Sequence, residues 1–252
     1  QMVISGAGDI QVDVLCAKLK SRFGVETELK PARVAYREKI KGRVEAHGRH
    51  KKQSGGSGQF GDVWIRFEPQ DESDDMIFAE EVFGGSVPKN FFPSVEKGLR
   101  NSVNKGVLAG YPLVGLKATL YDGSYHPVDS NDMAFQTAAR LAYQDGIPKA
   151  KPTILEPIGL LQVTIPDANL GDIMSDISSK RRGTVLGMNA EDGMQIVEAE
   201  VPMAEMSSYT IDLRSMTQGR GSFTLKFVRY EEAPGNIQQK VIEEAKALAE
   251  AE

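Results

Sequence analysis

Cysteine occurs once in 252 residues, at Cys16, histidine three times and tryptophan once, and no apolar run approaches the roughly 18 residues of a membrane-spanning helix. A lone cysteine excludes an internal disulfide framework and suits a reducing cytoplasm; within an apolar helical stripe Cys16 reads as a small packed hydrophobe. No secretory segment is visible, so neither export nor membrane insertion is indicated. The pattern G-x-x-x-x-G-K-[ST] is absent, which excludes a P-loop nucleotide site within these residues. His47 and His50 stand three apart in a strand-like segment and His126 stands alone, so neither a metal constellation nor a nucleophile, base and orienter set can be assembled. By itself His126 reads as an exposed loop residue.

What is present is 40% apolar and 26% charged residues, the mix of a globular protein, in a length sufficient for two ordinary domains. The net charge of −5 argues against a polyanionic partner only as an average, because charge is segregated along the chain. From Lys30 to Arg66 there are ten Lys and Arg against Glu38, Glu45 and Asp62, whereas Phe67 to Gly85 holds seven acids and no base. The basic stretch fits either a solvated strand face or a surface that meets phosphates. The acidic run reads as a solvated loop.

Inside the basic stretch lies Gln53-Ser-Gly-Gly-Ser-Gly-Gln-Phe-Gly61, in which Gly56, Gly58 and Gly61 spell G-x-G-x-x-G. A dinucleotide fold requires a helix after such glycines. Here Val63, Ile65 and Phe67 alternate with Trp64, Arg66 and Glu68, the period of a half-buried strand, so that reading fails. A kinase glycine loop does join two strands, and Val63 completes its pattern, but V-A-I-K, H-R-D and D-F-G are all missing. Two readings stay open: a flexible hairpin tip, or a tip whose backbone N–H groups meet a ligand closely.

The periodicities place further elements. Met2 to Gly6 reads as a strand end, followed by a helical stripe of Val12, Leu15, Cys16, Leu19 and Phe23. After the two strands around the glycine tip, Val95, Leu99 and Val103 mark a helix opened by Pro93. Leu113 to Leu120 reads as a strand, Asp122 to Asp129 as a loop, and Ala134, Phe135, Ala138, Leu141 and Ala142 as a helix ending at Gly146. Then come a strand (160–165), a helix (170–179), a hairpin (185–201) turning at Glu191-Asp-Gly193, a helix through Met206, Tyr209, Leu213 and Met216, and a strand (223–228). That βαββαβ order predicts a ferredoxin-like fold. A last amphipathic helix runs through Ile237, Val241, Ala245 and Leu248.

Seven motifs in order, Lys30-Pro31, Val34-Ala-Tyr-Arg-Glu38, Lys52-Gln-Ser-Gly-Gly56, Gly84-Gly85, Leu108-Ala-Gly-Tyr-Pro112, Asp122-Gly-Ser-Tyr-His126 and Lys151-Pro152, resemble the fourth domain of bacterial elongation factor G. Leu155-Glu-Pro157, Gly171-Asp172, Arg181-Arg-Gly183, Val201-Pro202, Glu205-Met206, Leu213-Arg-Ser215 and Tyr230-Glu-Glu-Ala-Pro234 resemble its fifth. The resemblance implies an α+β chain: an incomplete third-domain remnant (1–29), a ribosomal-protein-S5-domain-2-like βαβ domain (30–152), a ferredoxin-like domain (153–234) and a helix packing back on them (235–252).

It further implies a fragment of a translational GTPase, with GTP and Mg bound by a domain elsewhere and no cofactor or catalysis of its own. Implied partners are the tRNA–mRNA duplex at the decoding site and the rRNA of both subunits, with no membrane, for a cytoplasmic monomer. Implied decoding-tip residues are Ser54, Gly55, Gly56, Ser57, Gly58, Gln59, Ser124, Tyr125 and His126, and implied rRNA contacts are Lys180, Arg181 and Arg182. A thin, side-chain-poor loop can enter the wide minor groove of A-form RNA and hold it without reading its sequence.

Three departures point to a divergent paralogue: Ser57 where an arginine is usual, Pro127 where an acid is usual, and Gly8-Asp-Ile-Gln11 in place of Gly-Glu-Leu-His. Losing the arginine removes a phosphate contact, and Pro127 confines His126 to extended conformations. The alternative within translation is a ribosome-protection or recycling factor of the same architecture; alternatives from other classes are a stand-alone enzyme built on the glycine loop and a non-catalytic interaction module.

Overall fold

Gly24, at φ 66°, ends the first helix, α1 (Asp9–Phe23), in the left-handed conformation that glycine adopts without strain. The stripe expected to bury itself is only half-covered: Val12, Cys16 and Leu19 are partly buried, while Leu15 and Phe23 are exposed. Val3, Ile4 and Gly6 form no strand. The computed structural model describes residues 3, 4, 6, 8–30, 32–53 and 58–251, arranged in two units, Tyr36–Leu155 with Glu232–Glu252 and Gln1–Ala35 with Glu156–Glu231.

The unit that holds the tip opens with β1 (Arg37–Ile40), which pairs antiparallel with residues 152–155. A four-stranded sheet follows, built from β2 (Val44–Lys52), β3 (Gln59–Pro69), β4 (Ile77–Glu80) and β5 (Leu116–Ser124) in the order β2-β3-β5-β4. The expected alternation along β3 is observed: Val63, Ile65 and Phe67 are fully buried and Trp64, Arg66 and Glu68 face outward. Two helices, α2 (Phe92–Val103) and α3 (Asp132–Gly146), cover the inner face. Pro93 stands in the first turn of α2, and the Asn131 side chain accepts from the Ala134 N–H at 2.9 Å to cap α3.

This packing is close enough to dictate glycine. A Cβ on Gly48 of β2 would lie 1.9 Å from the Ala138 carbonyl oxygen of α3, and one on Gly61 of β3 would lie 2.6 Å from that of Ala134.

Two features of this sheet differ from expectation. The acidic run holds β4, parallel to β5, so that β4, α2 and β5 form the βαβ unit; three half-buried residues and an exposed Glu80 among acids leave no readable alternation. β5 also continues to Ser124, into the expected loop. A bulge between Trp64 and Ile65 takes up Tyr121 as an extra residue, and Asp122, Gly123 and Ser124 then pair with Trp64, Val63 and Asp62.

The other unit contains residues 158–166 of β6 (Pro152–Pro166), α4 (Leu170–Ser175) continued by a π-turn (Asp176–Lys180), β7 (Thr184–Glu191), β8 (Met194–Pro202), α5 (Tyr209–Thr217) and β9 (Ser222–Glu232). Its strand order, β7-β8-β6-β9, completes a ferredoxin-like βαββαβ domain. Asp192 and Gly193, both at positive φ, make the two-residue turn joining β7 to β8. Leu161, Val163, Ile173, Val197 and Leu213 lie in its core. The last helix, α6 (Gly235–Ala251), groups with the tip-bearing unit, where Gln238 donates to Thr153 Oγ1 at 2.9 Å and Val241 is buried.

Candidate nucleic-acid interface

The β2–β3 hairpin and the β5–α3 connection meet at one end of their unit, and a specific set of bonds holds them together. The Gly58 N–H donates to Asp129 Oδ1 at 3.0 Å, and the Phe60 N–H to the Asp129 carbonyl at 2.9 Å. The Ser130 hydroxyl donates to the Phe60 carbonyl at 2.9 Å and accepts from the His126 N–H at 2.9 Å. A Cβ at Gly58 would sit 2.7 Å from the Asp129 carboxyl carbon. Gly58 and Gly61 are therefore required by the contacts of the fold itself, whatever the tip touches. Ser54, Gly55, Gly56 and Ser57 lie outside the described residues.

Of the expected tip residues, Tyr125 and His126 are exposed. The backbone N–H groups of Val128 and Asp129 approach His126 Nδ1 at 3.3 and 3.1 Å. The same ring nitrogen lies 3.4 Å from Asp129 Oδ2. Two others are partly engaged within the unit: Ser124 donates its hydroxyl to Asp62 Oδ2 at 2.6 Å, and Gln59 Oε1 lies 2.9 Å from His50 Nε2. Asp129 and Ser130, which clasp the two loops, were not singled out in the sequence. The available signal was an Asp-Ser-Asn run immediately before a helix N-terminus.

The basic triplet of the ferredoxin-like domain divides in three. Arg181 is buried: Nε bonds Asp176 at 2.6 Å, Nη1 the Glu205 carbonyl at 2.6 Å and Nη2 Asp212 at 2.5 Å, and its guanidinium lies 4.6 Å from the Tyr209 ring centroid. It has no surface to offer a polyanion, and the expectation of an rRNA contact there is corrected by this burial. Arg182, at φ 54°, makes a bidentate pair with Glu156 at 3.0 and 2.7 Å and a third bond to Glu205 at 3.0 Å. The Glu156 bonds, followed by those to Glu205, hold its guanidinium well above the ordinary arginine range despite desolvation. Lys180 alone stays largely exposed, paired with Asp212 at 3.0 Å.

A βαβ domain whose two loops are clasped at one end, followed by a ferredoxin-like domain, defines the class of two-domain arms found in translation factors. Residues 32–151 match the family model for elongation factor G, domain IV, and residues 153–241 that for the elongation factor G C-terminus. A crystal structure of a protein from Thermus thermophilus matches with a TM-score of 0.86 over 96% of this chain at 42% identity. This chain spans 36% of that protein's length. The chain belongs to the elongation factor G family.

Proposed function

We propose that this chain is the C-terminal arm of a ribosomal translocation GTPase and that its tip enters the decoding site to drive or secure tRNA–mRNA movement. The observation that supports this reading is the clasp of Gly58 and Phe60 to Asp129 and Ser130, which ties the start of β3 to the connection that carries exposed His126. A glycine-rich, side-chain-poor tip can approach 2′-hydroxyls and phosphates without discriminating among codons, as a factor acting on every codon requires. Lys51 and Lys52 at the end of β2 supply cations next to it.

In this reading the arm is a mechanical stop with no catalysis of its own. GTP and Mg belong to a nucleotide-binding domain of the whole protein, which works as a cytoplasmic monomer and touches rRNA of both subunits, Lys180 being the residue of the basic triplet free to do so. The sequence departures at Ser57 and Pro127 make it a divergent paralogue. The test is single-round translocation by the full-length protein carrying His126→Ala, with ribosome-splitting and drug-protection assays alongside. A several-fold slower translocation is expected; an unchanged rate together with a lost splitting or protection activity would replace this function with one of those.

A further inference from the structure

The outer face of the tip-bearing sheet has a construction that the clasp does not use. Along β2, His47, Arg49 and Lys51 face away from the helices, and directly across the ladder stand Trp64, Asp62 and Phe60. Trp64, the chain's one tryptophan, is 39% exposed at mid-strand and stacks on His47 with ring centroids 4.4 Å apart and planes 13° from parallel. The His47 ring is itself anchored, because its Nε2 bonds Asp62 Oδ1 and the second oxygen of that carboxylate accepts from Ser124.

Beyond this stack Arg49 lies over the Phe60 ring at 5.6 Å, and Phe60 lies 6.4 Å from His126. On the other side Arg66 lies over Tyr121 at 5.3 Å. An isolated exposed aromatic needs no explanation. A supported aromatic stack continued by two more rings toward a basic tip does.

Charge along the face is graded. At the end away from the tip, Arg43 and Arg66 are neutralised by Glu45, Glu68 and Glu81. Toward the tip, Arg49 and Lys51 have no carboxylate partner among the described residues, since both oxygens of Asp62 are engaged elsewhere. Flat rings beside unpaired cations on an open sheet match the chemistry of an unpaired nucleic-acid strand, which presents ring faces and phosphates together. A duplex hides its base faces in its own stack.

We propose that the outer face of β2, β3 and β5 binds single-stranded RNA, with a base stacked on Trp64 and phosphates held by Arg49 and Lys51. The inference rests on the reading of this chain as an RNA-contacting arm, and it adds a second surface of different specificity on the flank below the tip.

The experiment is a titration of the 252-residue chain with an unstructured 12-nucleotide RNA, followed by Trp64 fluorescence and by anisotropy of the labelled RNA. Saturable quenching is expected. Trp64→Leu should weaken binding by roughly tenfold or more, the usual loss for one base-stacking aromatic. Trp64→Phe should retain most of the affinity, and Arg49→Ala should weaken binding several-fold while lowering the log–log salt slope by about one. Far-UV circular dichroism verifies that each variant is folded.

Unchanged affinity in Trp64→Leu, binding without quenching, or equal quenching by duplex RNA or polyglutamate would overturn the proposal. Failure here is separable from failure of the tip function, because translocation by His126→Ala is a readout in which the Trp64 signal has no part.

Discussion

Glu38 is a fully buried carboxylate that no ion pair reaches among the described residues, and its replacement offers the clearest test of how this domain is held together. Its Oε1 accepts the N–H groups of Ala109 and Tyr111 at 2.9 and 3.2 Å and its Oε2 that of Leu108 at 2.9 Å. Its main chain also bonds the Pro112 carbonyl and the Val114 N–H, both at 2.9 Å, so one residue of β1 orders the whole connection from α2 to β5. Burial first, and then the Glu38 charge, push the Tyr143 hydroxyl above the ordinary phenol range.

Glu38→Gln keeps the shape but turns one acceptor into a donor, so at least one buried N–H faces another; an orphaned buried group costs about 1–3 kcal/mol, and here two are created, for a total of about 2–6 kcal/mol. Glu38→Ala orphans all three N–H groups and opens a cavity, and should cost more. At ~2–4 °C per kcal/mol, the glutamine variant should melt roughly 4–24 °C lower. Urea unfolding followed by Trp64 fluorescence reports on the unit that contains Glu38. A glutamine variant within a few tenths of a kcal/mol of the parent, or an alanine variant no worse than glutamine, would refute the account.

Gly61→Ala should destabilise the same unit by ~1–3 kcal/mol in the same assay, because its Cβ would lie 2.6 Å from a backbone oxygen of α3 that cannot yield without moving the helix. Arg181→Ala should cost about 3–5 kcal/mol by leaving buried Asp176 with only the 3.9 Å approach of Lys180, whereas Lys180→Ala should cost under about 1 kcal/mol; equal effects in calorimetric melts would contradict their assigned roles. Bonds from Lys180, then Ser208 and Arg181, lower the Asp212 carboxyl from 3.8 to about 2. A folded-state value below the unfolded one means that Asp212 stabilises the fold above pH ~4 and loses that contribution as pH falls toward 2. The urea-midpoint gap between the parent and Asp212→Asn should therefore be full at pH 5–7 and close as pH approaches 2.

The second domain was legible in its full element order because most of its strands and helices carry enough apolar periodicity and its hairpin turn has the Asp-Gly chemistry such turns require, although the π-turn after α4 and the bulge in β7 have no sequence signal. In the first domain the long strands and both helices were equally plain. β4 was not, since Ile77 to Glu80 is an edge strand whose neighbours are acids and whose burial does not alternate. Tyr121 concealed the length of β5 for a different reason. A bulge inserts one residue and shifts the phase of the alternation, so a strand that continues looks like a loop that begins. For the basic triplet the composition was correct and the environment was not. Arg181 is enclosed by Asp176, Asp212, Glu205 and Tyr209, which are separated from it by up to 31 positions, and no local pattern announces that enclosure.

The glycine-rich tip carries the same lesson further. G-x-G-x-x-G invites a phosphate loop, yet Gly61 has no side chain because α3 crosses it, and Gly58 has none because the Asp129 carboxylate occupies the space. Glycine spacing records every reason for which a Cβ is forbidden, and approach by another part of the same chain is as strong a reason as approach by a ligand. On the proposed function the two reasons cooperate: bonds linking Gly58 and Phe60 to Asp129 and Ser130 tie the start of β3 to the β5–α3 connection, so that these residues have less freedom to lose on meeting RNA. On that reading, a variant parted at Gly58 would have to recover that entropy on every encounter and should bind RNA more weakly, although the substitution removes none of the proposed side-chain contacts.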